Sequence, residues 1–168
     1  MYDYDVVFIG SGHACWHAAL MLAKAQKKVA FVEEDTVAGT CTNWGCNAKI
    51  LLDSPFELVD GLSRYRGIGV DETPAVDWSA LMAYKKQVIS PVHTVLEGMF
   101  AQMGMPVFRG HGTLVDAHTV EAGGKRITAD YIVLGTGERP RRLGIPGDEL
   151  IHDSRDFLDV DVFPKRIA

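Results

Sequence analysis

The sequence predicts an α/β fold: a parallel sheet with a helical excursion and an antiparallel β-meander. Three observations carry this. An apolar strand, a glycine turn, an alanine-rich helix and a second apolar strand follow one another within about thirty residues, the opening of a doubly wound sheet. A long middle stretch then switches to helical spacing. Finally, short strands separated by turn residues lead into another apolar strand and another glycine turn, Gly135-Thr136-Gly137.

In order along the chain, residues 6–9 are uniformly apolar and end at Gly10-Ser11-Gly12. Residues 13–24 place Trp16, Ala19, Leu20 and Ala23 on one helical face, and Lys24, Lys27 and Lys28 suit the negative pole at its end. Residues 29–32 form the second strand, closed by Glu33. A loop over 35–43 leads to a helix beginning near Cys46, which Pro55 is expected to kink or interrupt. A polar link over 61–74 precedes a second helical region over 78–103, with another kink expected at Pro91. Short strands follow at 107–109, 112–115, 119–121 and 126–128, with turns at Asp116-Ala117-His118 and Gly123-Gly124. Residues 131–134 are wholly apolar, which predicts a central strand buried on both faces.

Composition bounds the function. With 168 residues, 47% apolar, 23% charged and a formal net charge of −5, the chain has the size of one globular domain and no basic footprint for nucleic acid or an anionic membrane. No apolar run is long enough for a transmembrane helix, and the acidic start Met1-Tyr2-Asp3-Tyr4-Asp5 is unlike a secretory signal. A soluble, cytoplasmic protein is expected. Three cysteines do not make an extracellular disulfide framework.

Two segments carry chemistry. Gly10-Ser11-Gly12, between strand and helix, lets backbone approach a pyrophosphate, with helix N–H groups facing its charge. Glu33 stands where a carboxylate meets ribose hydroxyls, so the pair fits an adenine dinucleotide on a Rossmann-like sheet. Cys15 occupies the third position of the turn motif, usually Gly or Ala, and reads as a small packing residue. The second segment is Gly39-Thr40-Cys41-Thr42-Asn43-Trp44-Gly45-Cys46, with Lys49 one turn on. Two cysteines at a helix entry suit a reactive dithiol, because the helix N-terminus favours thiolate and Gly45 helps the turn distort for a small disulfide. Half a zinc site and plain packing are the alternatives. Zinc would need two more ligands, and the candidates His13 and His17 share a helix face but flank the glycine turn. No metal site is assigned.

The eight-residue cysteine segment resembles the Gly-Thr-Cys-x-Asn-x-Gly-Cys signature of class I pyridine nucleotide-disulfide oxidoreductases, a group that includes glutathione reductase, dihydrolipoamide dehydrogenase and mercuric reductase. The resemblance runs along the chain: Gly10-Ser11-Gly12, Glu33, Arg109-Gly110-His111-Gly112, Gly135-Thr136-Gly137-Glu138-Arg139-Pro140, Ile145-Pro146-Gly147 and Asp153-Ser154 follow in the family's order. Ala48 stands where the family usually has proline, Trp44 where a smaller residue is usual, and Gly135 in place of alanine.

That resemblance implies FAD as cofactor. Gly10, Gly12, His13 and Ala14 would lie along its pyrophosphate and Glu33 at the ribose. Thr40, Cys41 and Lys49 would lie toward the flavin, His111 and Gly112 at the adenine, and Thr136 and Gly137 would close over the cofactor, with Ser154 nearby. It also implies that Cys41 is the interchange thiol and Cys46 the flavin-proximal one, with NAD(P)H as co-substrate of the full-length enzyme. Residues 1–160 are then expected to form the N-terminal portion of an FAD-binding domain, incomplete at its C-terminus, and 161–168 to begin a truncated NAD(P)-binding domain. The piece alone is expected not to be catalytically competent. The implied partners are a small-molecule disulfide or thiol and a second copy in a homodimer. The alternative is a non-catalytic dinucleotide-binding or dimerisation module.

Overall fold

A computed structural model describes residues 1–167. The elements are β1 (Tyr4–Ile9), α1 (His13–Lys24), β2 (Val29–Glu33), α2 (Gly39–Trp44), α3 (Cys46–Ser63), α4 (Trp78–Ile89), α5 (Val92–Gln102), β3 (Val107–Arg109), β4 (Thr113–Asp116), β5 (Thr119–Ala122), β6 (Lys125–Leu134) and α6 (Ser154–Phe157). They are an α/β set, and they fall into two compact units. One combines residues 1–43 with 91–140; the other combines 44–90 with the chain from Arg141 onward. No described helix is long and apolar enough to cross a membrane.

The first unit is built on one mixed sheet with strand order β3-β2-β1-β6-β5-β4. β3, β2, β1 and the second half of β6 run parallel, while β4, β5 and the first half of β6 form an antiparallel meander. Alternation along β1 and β2 sends their side chains to two cores. Val6, Phe8, Val29 and Phe31 pack with Cys15 and Ala19 of α1 and Leu96 and Phe100 of α5. Val7, Ile9, Ala30 and Val32 face Val120 and Ala122 of β5 and Ile127 and Ala129 of β6. One face is thus covered by helices, and the other by the sheet's own meander curling over it.

The second unit holds α3, α4 and the chain after Arg141. α3 and α4 pack together. Trp78 Nε1–H donates to the Val160 carbonyl at 2.9 Å, and its ring meets Phe163 edge-on, with centroids 4.9 Å apart. The buried Lys85 ammonium is paired with the Asp159 carboxylate. An unpaired ammonium in that position would carry a heavy desolvation cost, so Lys85 and Asp159 depend on one another.

Several expectations need correction. The loop over 35–43 contains α2, so the chain is already helical at Gly39. Asn43 explains this: its Nδ2 donates to the carbonyls of Val37 and Gly39, both at 2.9 Å, and so ties the turn shut from within. Pro55 does not interrupt α3, which runs eighteen residues through it. Proline removes one hydrogen-bond donor, and the turns on either side keep theirs. The region over 78–103 is two helices, α4 ending at Ile89 and α5 beginning at Val92: Pro91 has no N–H to donate, so the ladder stops there although Ser90 and Pro91 keep right-handed helical dihedrals. The strands at 126–128 and 131–134 are one ten-residue strand, β6. That strand is central, as expected, but 131–134 is not buried on both faces: Tyr131 is 66% and Leu134 64% exposed. Of this stretch only Ile132 packs against a core cluster, that on the meander side, while Tyr131, Val133 and Leu134 belong to neither core, and β5 pairs with β6 only from Lys125 to Thr128.

Candidate functional site

The register of the sheet builds the site. Ile9 is opposite Leu134 in the β1–β6 ladder, so both strands release their glycine turns side by side. The Gly135 N–H donates to the Ile9 carbonyl at 2.8 Å, and the Gly10 N–H to the Val32 carbonyl at 2.7 Å. Gly10 has φ +100°, and a Cβ there would lie 2.1 Å from the Gly135 oxygen, so no other residue fits. The start of α2 closes in from a third side. Gly12 bridges Ala38, and a Cβ on Gly39 would lie 2.8 Å from the Gly12 Cα.

This leaves the N-terminus of α1 on a floor of bare backbone. Gly12 caps the helix with no side-chain hydrogen bond, and no acidic residue sits in the first turn. The first N–H groups of a helix and its positive pole normally attract such a partner. His13 and Ala14, the first two residues of α1, are exposed. The arrangement can receive an anion.

Glu33 ends β2 and is 92% buried, with its carboxylate already engaged. Its Oε2 accepts from the Ser11 N–H at 2.9 Å and the Ser11 hydroxyl at 2.6 Å, and its Oε1 accepts from the Asp35 N–H at 2.9 Å. Ser11 is itself fully buried, and its Oγ also accepts from the Ala38 N–H at 3.3 Å. Glu33 therefore locks the glycine turn to the end of β2. A carboxylate has about four lone-pair directions, so three donors leave it one for a further hydroxyl.

Beside it, Glu34 is exposed and bridges two later segments. It pairs with Arg139 and accepts from His111 Nδ1 at 2.8 Å. The hydrogen bond from His111, reinforced by the Arg139 charge, holds the Glu34 carboxyl below the usual carboxylate range. Gly112 packs tightly beneath, where a Cβ would meet Ile9 at 2.8 Å and Val32 at 3.0 Å. Thr136 and Gly137 complete the second glycine turn and are exposed, with no atom within 4 Å of a Cβ built on Gly137.

Thr40 is exposed and Cys41 half-buried, both on α2. The sequence-predicted residues Gly10, Gly12, His13, Ala14, Glu33, Thr40, Cys41, His111, Gly112, Thr136 and Gly137 thus belong to the first unit. Cys46, Lys49 and Ser154 belong to the second and are exposed there, Cys46 at the first position of α3 and Ser154 at the first of α6. Within that unit the Arg155 guanidinium lies 4.1 Å from the centre of the Trp44 ring, a cation–π contact two residues from Cys46. Cys15 is buried against Gly135 of the second glycine turn, and burial, helped by the Glu33 charge, raises its thiol pKa. A thiol so held is inert, which agrees with a packing role.

Sequence reasoning missed Ser11, Glu34 and Arg155. Ser11 occupies a variable position of its motif, and the other two act only through partners distant in sequence.

Comparison with known proteins decides the family. A model of the pyridine nucleotide-disulphide oxidoreductases matches residues 4–168. The chain belongs to that family. Relatives include the dihydrolipoyl dehydrogenase of Chlamydia pneumoniae, 30% identical over 99% of this chain and 37% of that protein. The trypanothione reductase of Leishmania donovani is 31% identical over 98% of the chain and 38% of its own length. The glutathione reductase of Pisum sativum is 31% identical over 99% and 32%. The chain therefore spans about a third of the length of these family members.

Proposed function

We propose that this chain is the cofactor-binding and redox-cysteine portion of an FAD-dependent pyridine nucleotide-disulfide oxidoreductase. The observation that carries the reading is the cradle around α1: two glycine turns and the start of α2 meet backbone to backbone at a helix end that has no capping group of its own. That donor set fits a dinucleotide pyrophosphate. When bound, FAD supplies two-electron transfer between NAD(P)H and the protein's disulfide.

The chain's own residues would divide the work. Gly10, Gly12, His13 and Ala14 offer backbone to the pyrophosphate, and Glu33 offers its remaining lone pair to a ribose hydroxyl. His111 and Gly112 would flank the adenine end, Thr136 and Gly137 would close over the cofactor with Ser154 nearby, and Thr40 and Lys49 would serve the flavin side. Once Cys41 and Cys46 are reduced, the Cys41 thiolate attacks one sulfur of the substrate disulfide and the other sulfur leaves as a thiol. The Cys46 thiolate then attacks Cys41, releases the second thiol and leaves a Cys41–Cys46 disulfide. Such exchange runs fastest when the attacking thiol's pKa is near ambient pH.

In this reading residues 1–160 belong to the FAD-binding domain and 161–168 lead into an NAD(P)-binding one. The whole enzyme would be a cytoplasmic homodimer acting on a small disulfide or thiol. The test is made on the protein that carries this chain. Purification should yield bound flavin, NAD(P)H should expose two additional titratable thiols, and Cys41→Ser should abolish disulfide reduction while flavin remains. Full activity in Cys41→Ser overturns the reading, and absence of any reducible dithiol would leave a binding module.

A further inference from the structure

We propose that His13 and His17 form a binding site for a divalent transition metal of the Ni(II) type on the exposed face of α1. The two residues are one helical turn apart, both exposed, and their Nε2 atoms lie 3.1 Å from each other. A metal about 2.1 Å from each nitrogen would subtend an angle of about 95°. That is close to the right angle between neighbouring donors of tetragonal or octahedral coordination, and short of the ~109° of a tetrahedral site. Imidazole nitrogen is a donor these ions favour.

The rings are already held in place. The Trp16 indole stacks on His17 with centroids 3.6 Å apart and planes at 23°, and His13 meets the same indole edge-on at 5.2 Å and 80°. Trp16 is in turn packed against the core beneath α1. Two imidazoles fixed this way lose little freedom on binding, which is the usual cost of a two-ligand surface site. Without metal, one ring donates its Nε2 proton to the other. Metal takes the place of that proton, which moves by solvent exchange to Nδ1 of the same ring. Both rings then bind through Nε2 as neutral imidazoles.

Among the described residues no group of three or more His, Cys, Asp or Glu side chains could hold a metal ion. Water or an added ligand fills the other positions, so the metal is exchangeable. The proposal does not depend on the cofactor reading, which uses the backbone of this turn and not its imidazoles.

The test is titration of the purified protein with NiCl₂ in a non-chelating buffer, followed by calorimetry and by tryptophan emission. Ni(II) is chosen because it does not oxidise thiols. Wild type should bind one Ni(II) per chain with quenching of Trp16, and MgCl₂ should produce neither signal. His13→Gln and His17→Gln should each weaken binding by about tenfold or more, since loss of even an outer-shell partner of a metal ligand costs 10–100-fold. A rebuilt pair one turn along, His13→Gln with Met21→His, should recover binding, because Met21 is 68% exposed and stands four residues after His17. Unchanged Ni(II) affinity in either single variant overturns the proposal. So does failure of the rebuilt pair to recover binding.

Discussion

Cys15 and Gly135 should behave as one unit, and a double-mutant cycle measures it. A Cβ added to Gly135 would sit 1.9 Å from the Cys15 Sγ and 3.7 Å from the Cys15 Cβ. The first distance is roughly half an ordinary contact, and the second is an ordinary one. Sγ has little room to yield, because Cys15 is 2% exposed and the neighbouring Gly10 turn is already pressed on the Gly135 carbonyl. Gly135→Ala should therefore cost about 1–3 kcal/mol of overpacking. It recovers about 0.4–1 kcal/mol from the unfolded state, since the backbone of Gly135 is not left-handed. Cys15→Ala alone should cost about 1 kcal/mol for one lost buried atom. With both changes the two methyl groups meet at van der Waals distance and fill the space left by sulfur. The double variant should then lie near wild type, with a favourable coupling of about 2 kcal/mol. Equilibrium unfolding in urea on the four proteins gives the cycle. Effects that simply add, to within about 0.5 kcal/mol, would refute the reasoning.

Further outcomes follow from single contacts. Thr42 Oγ1 is buried with no partner among the described residues, so Thr42→Val should raise stability by about 1 kcal/mol in the same urea assay. Ser11→Ala removes the hydroxyl donor to the buried Glu33 and should cost about 1–3 kcal/mol, with loosening of the first glycine turn visible as faster amide exchange at Ala38. Asp3 accepts from the Thr128 hydroxyl at 2.7 Å and the Thr128 N–H at 3.0 Å, and these bonds lower its pKa. Its contribution is thus present above the unfolded value near 3.8 and is lost as pH falls through the lower folded value. An NMR titration should place the Asp3 midpoint below 3.8, and Asp3→Asn should speed amide exchange at Thr128.

The β1–α1–β2 opening was legible in the sequence because each signal there is local: an unbroken apolar run, a glycine turn, then a 3.6-residue period. The strand 107–109 and the helix beginning at Cys46 were read for the same reason. α2 was not, because Gly39, Thr40, Thr42 and Asn43 are weak helix formers, and what makes them helical is the Asn43 amide reaching back to Val37 and Gly39. β6 was split in two by the polar pair Thr128 and Asp130, since its continuity comes from changing partners, β5 first and β1 afterwards. In the candidate site, the glycines and cysteines were visible as a motif. The engagement of Glu33 by Ser11, and of Glu34 by His111 and Arg139, was not, because those partners are 22, 77 and 105 residues away in sequence.

The change of partner along β6 has a consequence for handling the chain. Residues 131–134 have ladder partners on the β1 side only among the described residues, and they present Tyr131, Val133 and Leu134 to solvent without a charge or a proline. Such an edge is a template on which any extended apolar segment can add as the next strand, and natural sheets usually blunt it with lysine, proline or a bulge. Left open, it would offer the chain a place at which to self-associate. A lysine at Val133 should keep the chain monodisperse at concentrations where the unaltered one forms aggregates by light scattering.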